Sequence, residues 1–415
     1  MLRTEYLTES VAADLDLSPE EASSLAAVGR RLASDRTWLG EHPPDDRTVI
    51  RCTPAVGGRW TVRVQDAVGI VSVGGLQIVV RPKIPRAHLL HLFAKSLQVP
   101  RLDDQPALAE HAAALWELVA RWFVRSTTTV LRRDLSRDYH GIDDVLHSVR
   151  GRVHGVPTAR AYYAGRIELH CSFDDFAIDT PLNRLLRAAA REVSRSTLLT
   201  PDIRKDAARL LARFEDVGEL REPDFSAAVD RRTWYYRDAV VLARHILRCV
   251  GRTFEAGAQS AWSFLIRTPE LVEAGIRQIL SDNLGGIAIR KLSAPILGAT
   301  FGAHPDIVFG PGWAVGDVKY KLNDGSWNRP DLYEVVAFAS AFRCQQAALL
   351  CFAKGPLVFD PVGVGEINVA QVAWNCSAEP ARASEEFCET VRVWANRLAN
   401  CQTLVAARAN RPAEA

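Results

Sequence analysis

The segment His304 to Lys321, HPDIVFGPGWAVGDVKYK, sets two aspartates and two lysines among residues suited to the inside of a sheet. Side chains alternate along a strand, so Val315, Asp317, Lys319 and Lys321 share one face while Val318 and Tyr320 point to the other. Asp306 opens the preceding strand after Pro305, and a hairpin across Gly310-Pro311-Gly312 can lay that strand against the next. The two aspartates then converge at one edge of the sheet. Two carboxylates with a nearby water suit Mg²⁺, as one or two ions, because this hard cation keeps much of its hydration and shares phosphate oxygens. Such an ion binds a scissile phosphate and lowers the pKa of an attacking water. Lys319, two residues on, would orient that water or neutralise the charge of the transition state. The chemistry implied is phosphodiester hydrolysis.

A third carboxylate is expected on the helix in front of these strands. Glu273, in PELVEAGIRQIL, shares its phase with Ile276, Arg277 and Leu280, which aims it at the sheet; Glu270, one turn earlier, is the alternative. An Asp-x-Lys pair by itself is common and is explained by a strand-end ion pair. The Pro-Asp strand, the hairpin and the helical glutamate together favour a metal site holding Glu273, Asp306 and Asp317. His304 reads as a hydrogen-bonded or exposed side chain at a strand entry rather than a ligand.

These residues need elements to position them. A helix over about 268–282, strands near 287–291, 306–309 and 313–321, a helix over about 329–343 and the strand AALLCFA give an α-β-β-β-α-β order, which predicts a mixed sheet flanked by helices. Near the start, Ser18-Pro19-Glu20-Glu21 is a helix N-terminus with a capping box, leading to a helix that runs to about Ala33. Residues 59–85 alternate apolar and polar and break at Gly74-Gly75, the pattern of consecutive short antiparallel strands, and HLLHLFAKSL follows as a short helix. Arg81-Pro82-Lys83 lies just after a strand, its charges either solvated or set against a partner. Helical spacing fills 107–135, ending in the arginine-rich VLRRDLSRDY, a basic run that suits a solvated helix face, a partner or phosphates. The stretch 180–252 is mainly helical, and Asp179-Thr180-Pro181-Leu182 reads as a helix start with Asp179 or Thr180 as the cap, Pro181 in the first turn and Asn183 in a packing role. The expected fold is thus a multidomain α+β chain: a β-rich N-terminal region over 1–100 that binds a partner, a helical middle over 101–257 and an α/β domain over 258–415.

Composition narrows the function. A chain of 415 residues is long enough for two or three cores. Its 51 basic and 49 acidic residues nearly cancel, so the whole chain is no electrostatic glue for nucleic acid, and DNA contacts must be local or delegated to a partner. Eight cysteines occur without a C-x-x-C pair, which signals neither zinc nor redox chemistry. The charged N-terminus lacks a secretory signal and no apolar run is long enough to span a bilayer, so a cytoplasmic location without membrane contact is expected.

Pro305-Asp306, Asp317-Val318-Lys319 and Glu273 resemble the PD-(D/E)xK nuclease superfamily. The blocks DAVGIVSVGGLQIVVRPKIP, YHGIDDVLHSVRGRV, CSFDDFAIDTPLNRLLRAA and GDVKYK followed by RPDLYEVVAFA are similar to those of McrC proteins, over about residues 60 to 350. The resemblance implies the nuclease subunit of the McrBC modification-dependent restriction system. It further implies a partner, the McrB-like AAA+ GTPase, whose hexameric ring recognises modified double-stranded DNA, while the N-terminal part of this chain stimulates GTP hydrolysis and its C-terminal part cuts. A near-neutral nuclease fits a division in which the partner grips the DNA. Related nucleases often carry glutamine where this chain has Glu334, after Asp331-Leu332-Tyr333; Tyr333, Glu334 and Lys321 are candidate contacts to phosphate or DNA. Two rival readings are a regulatory scaffold that activates an AAA+ ring without cutting, and a nuclease that acts alone.

Overall fold

The capping box at Ser18 forms as the sequence requires: the Ser18 amide donates to Glu21 Oε2 at 2.9 Å and the Glu21 amide to Ser18 Oγ at 3.1 Å. It starts the helix Pro19–Ser34 in a computed structural model that describes residues 3–34, 49–96, 114–253, 261–296, 298 and 300–409. Leu25, Val28 and Leu32 of this helix are buried in one core with Val62, Val64, Val71 and Ile78 of the adjoining strands. The chain divides into two compact units, 1–112 together with 251–415, and 113–250.

In the first unit, Ala67–Val73 and Leu76–Arg81 turn at Gly74-Gly75 into the expected antiparallel hairpin. Three further strands complete a five-stranded sheet, with Val250–Thr253 at its edge. Arg3–Thr8 pairs in parallel with Leu76–Arg81, and Ala261–Arg267 pairs antiparallel with Ala67–Val73. Residues far apart in sequence therefore share one sheet, and the strand Ala261–Arg267 leads directly into the helix Thr268–Asn283.

That helix precedes a six-stranded mixed sheet in the order Ile289–Arg290, Ile307–Phe309, Ala314–Asn323, Gln346–Ala353, Ile367–Asn375, Val362–Val364. The mixed sheet and its flanking helices match the expected α-β-β-β-α-β order. Ile307–Phe309 and Ala314–Asn323 are antiparallel, joined by a turn in which Gly310 (φ 61°) and Gly312 (φ 108°) take left-handed backbone that favours glycine. Ala314–Asn323 and Gln346–Ala353 are parallel, so the chain needs a crossover, supplied by the helix Arg329–Ala341. Val315, Leu332, Val335, Ala347 and Leu349 pack this helix onto the sheet. The last two strands and the helix Pro380–Ala409 lie beyond the elements expected from sequence.

The second unit holds the helices Ala114–Arg132, Pro181–Arg195, Pro201–Leu211 and Arg237–Cys249. The expected helical stretch at 107–113 lies outside the described residues. Thr180 caps the second helix by accepting the Asn183 amide at 3.3 Å. Asp179 instead accepts the Gly218 amide at 2.8 Å and pairs with Arg184 at 3.0 Å. Asn183 is fully buried: its side-chain amide donates to the carbonyls of Ser136 (2.9 Å) and Ile178 (2.7 Å) and accepts the Tyr236 hydroxyl (2.7 Å). The Asp-Thr-Pro-Leu-Asn block is therefore a packing device. In the basic run, Arg133 lies over the Trp234 ring at 4.7 Å, a cation–π contact within the unit. Asp138–Leu146, Leu169–Ala177 and Arg152–Val153 form a mostly exposed antiparallel sheet that the sequence pattern did not announce. Among the described residues, no helix is long and apolar enough to cross a membrane.

The helix Thr268–Asn283 is pressed against the helix Arg86–Ser96. A Cβ on Gly275 would lie 2.6 Å from the Leu92 carbonyl oxygen. Alanine in a helix interior normally stabilises by about 0.5–1 kcal/mol relative to glycine. Here overpacking, costing about 1–3 kcal/mol, should win. Gly275→Ala is expected to lower the midpoint of denaturant unfolding at an unchanged slope, where an open helix position would raise it.

Candidate active site

Asp317 and Lys319 project from Ala314–Asn323 on the face covered by the helix Arg329–Ala341, as strand alternation requires. Two ion pairs fix this orientation. Lys319 Nζ lies 2.6 Å from Glu334 Oε2, and Lys321 Nζ lies 2.5 Å from Asp331 Oδ2, both acids belonging to that helix. Asp306, just before Ile307–Phe309, accepts the Val318 amide on Oδ2 at 2.8 Å. The hairpin therefore brings Asp306 to the strand that bears Asp317 and Lys319.

Both aspartates are buried, Asp306 at 8% exposure and Asp317 at 5%. Burial pushes the Asp306 carboxyl up to about 7, the neighbouring Glu273 carboxylate adds to the rise, and the Val318 amide opposes it. Asp317 is likewise raised to about 7, first by burial, with Lys319 opposing and Asp306 adding. Lys319 Nζ lies 2.7 Å from Asp317 Oδ2, yet that oxygen has no hydrogen bond of acceptable geometry. The contact is an ion pair that leaves the buried oxygen short of a directed donor. For Lys319 itself, burial alone would favour the neutral amine, but Asp317 and Glu334 hold its pKa above the usual range. Lys319 is therefore an ammonium at neutral pH, an electrostatic group rather than a base.

Of the two helical glutamates, Glu273 reaches the cluster. It interacts with Asp306 and lies 3.3 Å from Lys291 Nζ through Oε2. Glu270 turns away to Arg267 at 2.8 Å. Tyr333 is on the same helix as Glu334 and is 62% exposed. Three further participants escaped the sequence reading. Lys291 pairs with Glu273, Asp331 holds Lys321, and Arg277, one turn after Glu273, donates from Nε to the Asp306 carbonyl at 2.9 Å. The spacing of Glu273 and Arg277 was the available signal for the last of these.

The arrangement suits a divalent cation in part. Buried carboxylates raised by neighbouring acids, Asp306 by Glu273 and Asp317 by Asp306, with Lys319 as the one ammonium on Asp317, would be relieved by a hard cation. Among the described residues, however, no three His, Cys, Asp or Glu side chains already stand in metal-binding geometry. Lys319 and Lys291 partly neutralise the acids in this state.

Comparison with known proteins adds an independent line. Residues 62–353 match the family model described as McrBC 5-methylcytosine restriction system component. A search of curated proteins gives no match. Among solved structures, the chain is similar to one from the half-complex of the tetradecameric assembly of Thermococcus gammatolerans McrB AAA+ hexamers with bound McrC. The TM-score is 0.61 at 16% identity, covering 94% of this chain and 99% of the other. A chain of the Thermococcus gammatolerans McrBC complex determined by cryo-EM matches at 15% identity and TM-score 0.46, covering 82% and 99%. With a family match that spans most of its length, the chain belongs to the family of McrBC 5-methylcytosine restriction system components.

Proposed function

We propose that this chain is the Mg²⁺-dependent DNA endonuclease subunit of a McrBC-like system, with its C-terminal mixed sheet serving as a PD-(D/E)xK core. The observation that carries the reading is the hydrogen bond from the Val318 amide to Asp306, which joins the Pro-Asp strand to the Asp317-Val318-Lys319 strand, with Glu273 beside it. The partner is a McrB-like AAA+ GTPase ring, which selects DNA containing 5-methylcytosine and whose nucleotide hydrolysis this chain stimulates. The described McrB hexamers with bound McrC support that pairing by analogy of fold.

Asp306, Asp317 and Glu273 would hold the metal, which when bound supplies Lewis-acid stabilisation of phosphate charge and an activated water. Lys319, kept protonated, neutralises charge on the phosphate or orients the water. Glu334 restrains the Lys319 ammonium through their 2.6 Å ion pair, a role glutamine would fill with a weaker hydrogen bond. Lys321, held by Asp331, is placed one step further along the same strand face as a phosphate contact. The scaffold reading draws on the lack, among the described residues, of a ready three-ligand group, and one reconstitution separates the two. With a McrB-like partner, GTP, Mg²⁺ and methylated DNA, the wild type should cut. Asp317→Ala and Lys319→Ala should each lower cleavage by at least about 10²-fold while still stimulating GTP hydrolysis. Cutting undiminished in both variants would refute the assignment of these residues; a wild type that stimulates hydrolysis but never nicks DNA would establish the scaffold.

A pH test follows from the raised carboxyl of Asp317. A folded-state pKa above the unfolded one favours the protonated fold, so this stabilising contribution is full below the unfolded pKa and lost as pH rises through about 7. Asp317→Asn mimics the protonated side chain and escapes that loss. In metal-free buffer its Tm relative to wild type should therefore increase between pH 5 and pH 8. A difference that is flat or falls with pH contradicts the burial-driven shift.

A further inference from the structure

Behind the strand that carries Asp317 and Lys319 lies a further buried acid. Glu9, just past the strand Arg3–Thr8, is 0% exposed, and its amide donates to the Arg81 carbonyl at 2.9 Å. Its Oε1 accepts the hydroxyl of Thr268, the residue that opens the helix bearing Glu273. Lys83 Nζ lies 3.9 Å from the same oxygen and 3.4 Å from Asp66 Oδ1, so the lysine of Arg81-Pro82-Lys83 is turned inward rather than left to solvent. The Lys83 ammonium also sits 5.2 Å over the ring of Tyr320, the residue that follows Lys319 and points to the opposite face of its strand.

Glu9 Oε2 and the Tyr320 hydroxyl are both buried, and neither has a hydrogen bond of acceptable geometry. They are neighbours nonetheless: burial raises the pKa of each, and the Glu9 charge raises the phenol further. A buried carboxylate with an incomplete set of donors costs stability, and an apolar side chain would fill this space more cheaply. What Glu9 has that an apolar residue lacks is a link to both elements that supply the acidic site, a hydrogen bond from Thr268 on the helix of Glu273 and, through the Lys83 ammonium, the ring of Tyr320 on the strand of Asp317.

We infer that Glu9, Lys83 and Tyr320 form a positioning network that sets the spacing between the helix Thr268–Asn283 and the strand Ala314–Asn323, and so holds Glu273 in register with Asp317 and Lys319. The inference rests on the nuclease reading of that site. Through this network the N-terminal strands act on the cutting site from behind, without touching metal or DNA. Misplacement of reacting groups by about 1 Å is enough to slow catalysis by about 10²-fold.

Tyr320→Phe removes one oxygen and leaves the ring, which makes it the sharper variant; Glu9→Gln keeps shape and removes charge. Each is assayed in the full chain reconstituted with the AAA+ partner, with Asp317→Ala as the control for chemistry. Tyr320→Phe should cut about tenfold more slowly and need several-fold more Mn²⁺ for half-maximal cleavage, with stimulation of GTP hydrolysis and Tm close to wild type. Glu9→Gln should show the same split. Unchanged cleavage and Mn²⁺ dependence in Tyr320→Phe would overturn the network, and so would a loss of cleavage matched by loss of GTPase stimulation or by unfolding, which would assign these residues to the fold alone. A wild type that does not cut, or an Asp317→Ala control that does, would instead refute the underlying nuclease reading.

Discussion

The C-terminal sheet depends on an unfavourable act, the burial of two carboxylates within one hairpin. Asp306 and Asp317 are almost excluded from water; Glu273 makes ionisation of Asp306 harder, and Asp306 does the same to Asp317. Buried acids are tolerated where something compensates. Here the compensation is local and sparse: one backbone amide for Asp306 and one ammonium, the Lys319 ion pair on Oδ2, for Asp317. On the proposed reading a cation would complete that compensation, and the buried carboxyl of Asp317 accounts for a lysine two residues on along the same face of the strand.

The surrounding architecture maintains this tension. The crossover helix Arg329–Ala341 contributes an apolar face to the core and two acids that hold Lys319 and Lys321. The helix Thr268–Asn283 presents Glu273 and Arg277 on the side of Asp306 and is wedged against Arg86–Ser96 so closely that only glycine fits at 275. A sheet strand, Ala261–Arg267, leads straight into that helix, so the N-terminal sheet and the acidic cluster are mechanically continuous. Glu9 makes the continuity chemical.

Local signals in the sequence were strong where a short stretch determines its own conformation. The Ser18 capping box, the Gly74-Gly75 hairpin, the Thr180 cap and the Gly310 to Gly312 turn all follow from neighbouring residues. Helix phase alone separated Glu273 from Glu270, and the structure turns the latter toward Arg267. Long-range pairing left no such trace. Nothing near Arg3–Thr8 announces a parallel partner some seventy residues on, and nothing near Ala261–Arg267 announces its pairing with Ala67–Val73. The inward turn of Lys83 was equally hidden, because a lysine after a strand reads as solvated until Glu9 and Tyr320 are seen beside it. The mostly exposed sheet of the second unit was missed because, with only Cys171 fully buried on its two long strands, it lacks the strong apolar alternation that marks a strand.

The central claim is that Glu273, Asp306 and Asp317 form a cation site. The most direct measurement is Mn²⁺ binding to the purified chain at pH 8, followed by electron paramagnetic resonance or calorimetry, for wild type and for Asp306→Asn. The account predicts saturable binding by wild type, competed by Mg²⁺ and lost or greatly weakened in the variant. Equal binding by both proteins, or none by either at millimolar ion, would contradict it.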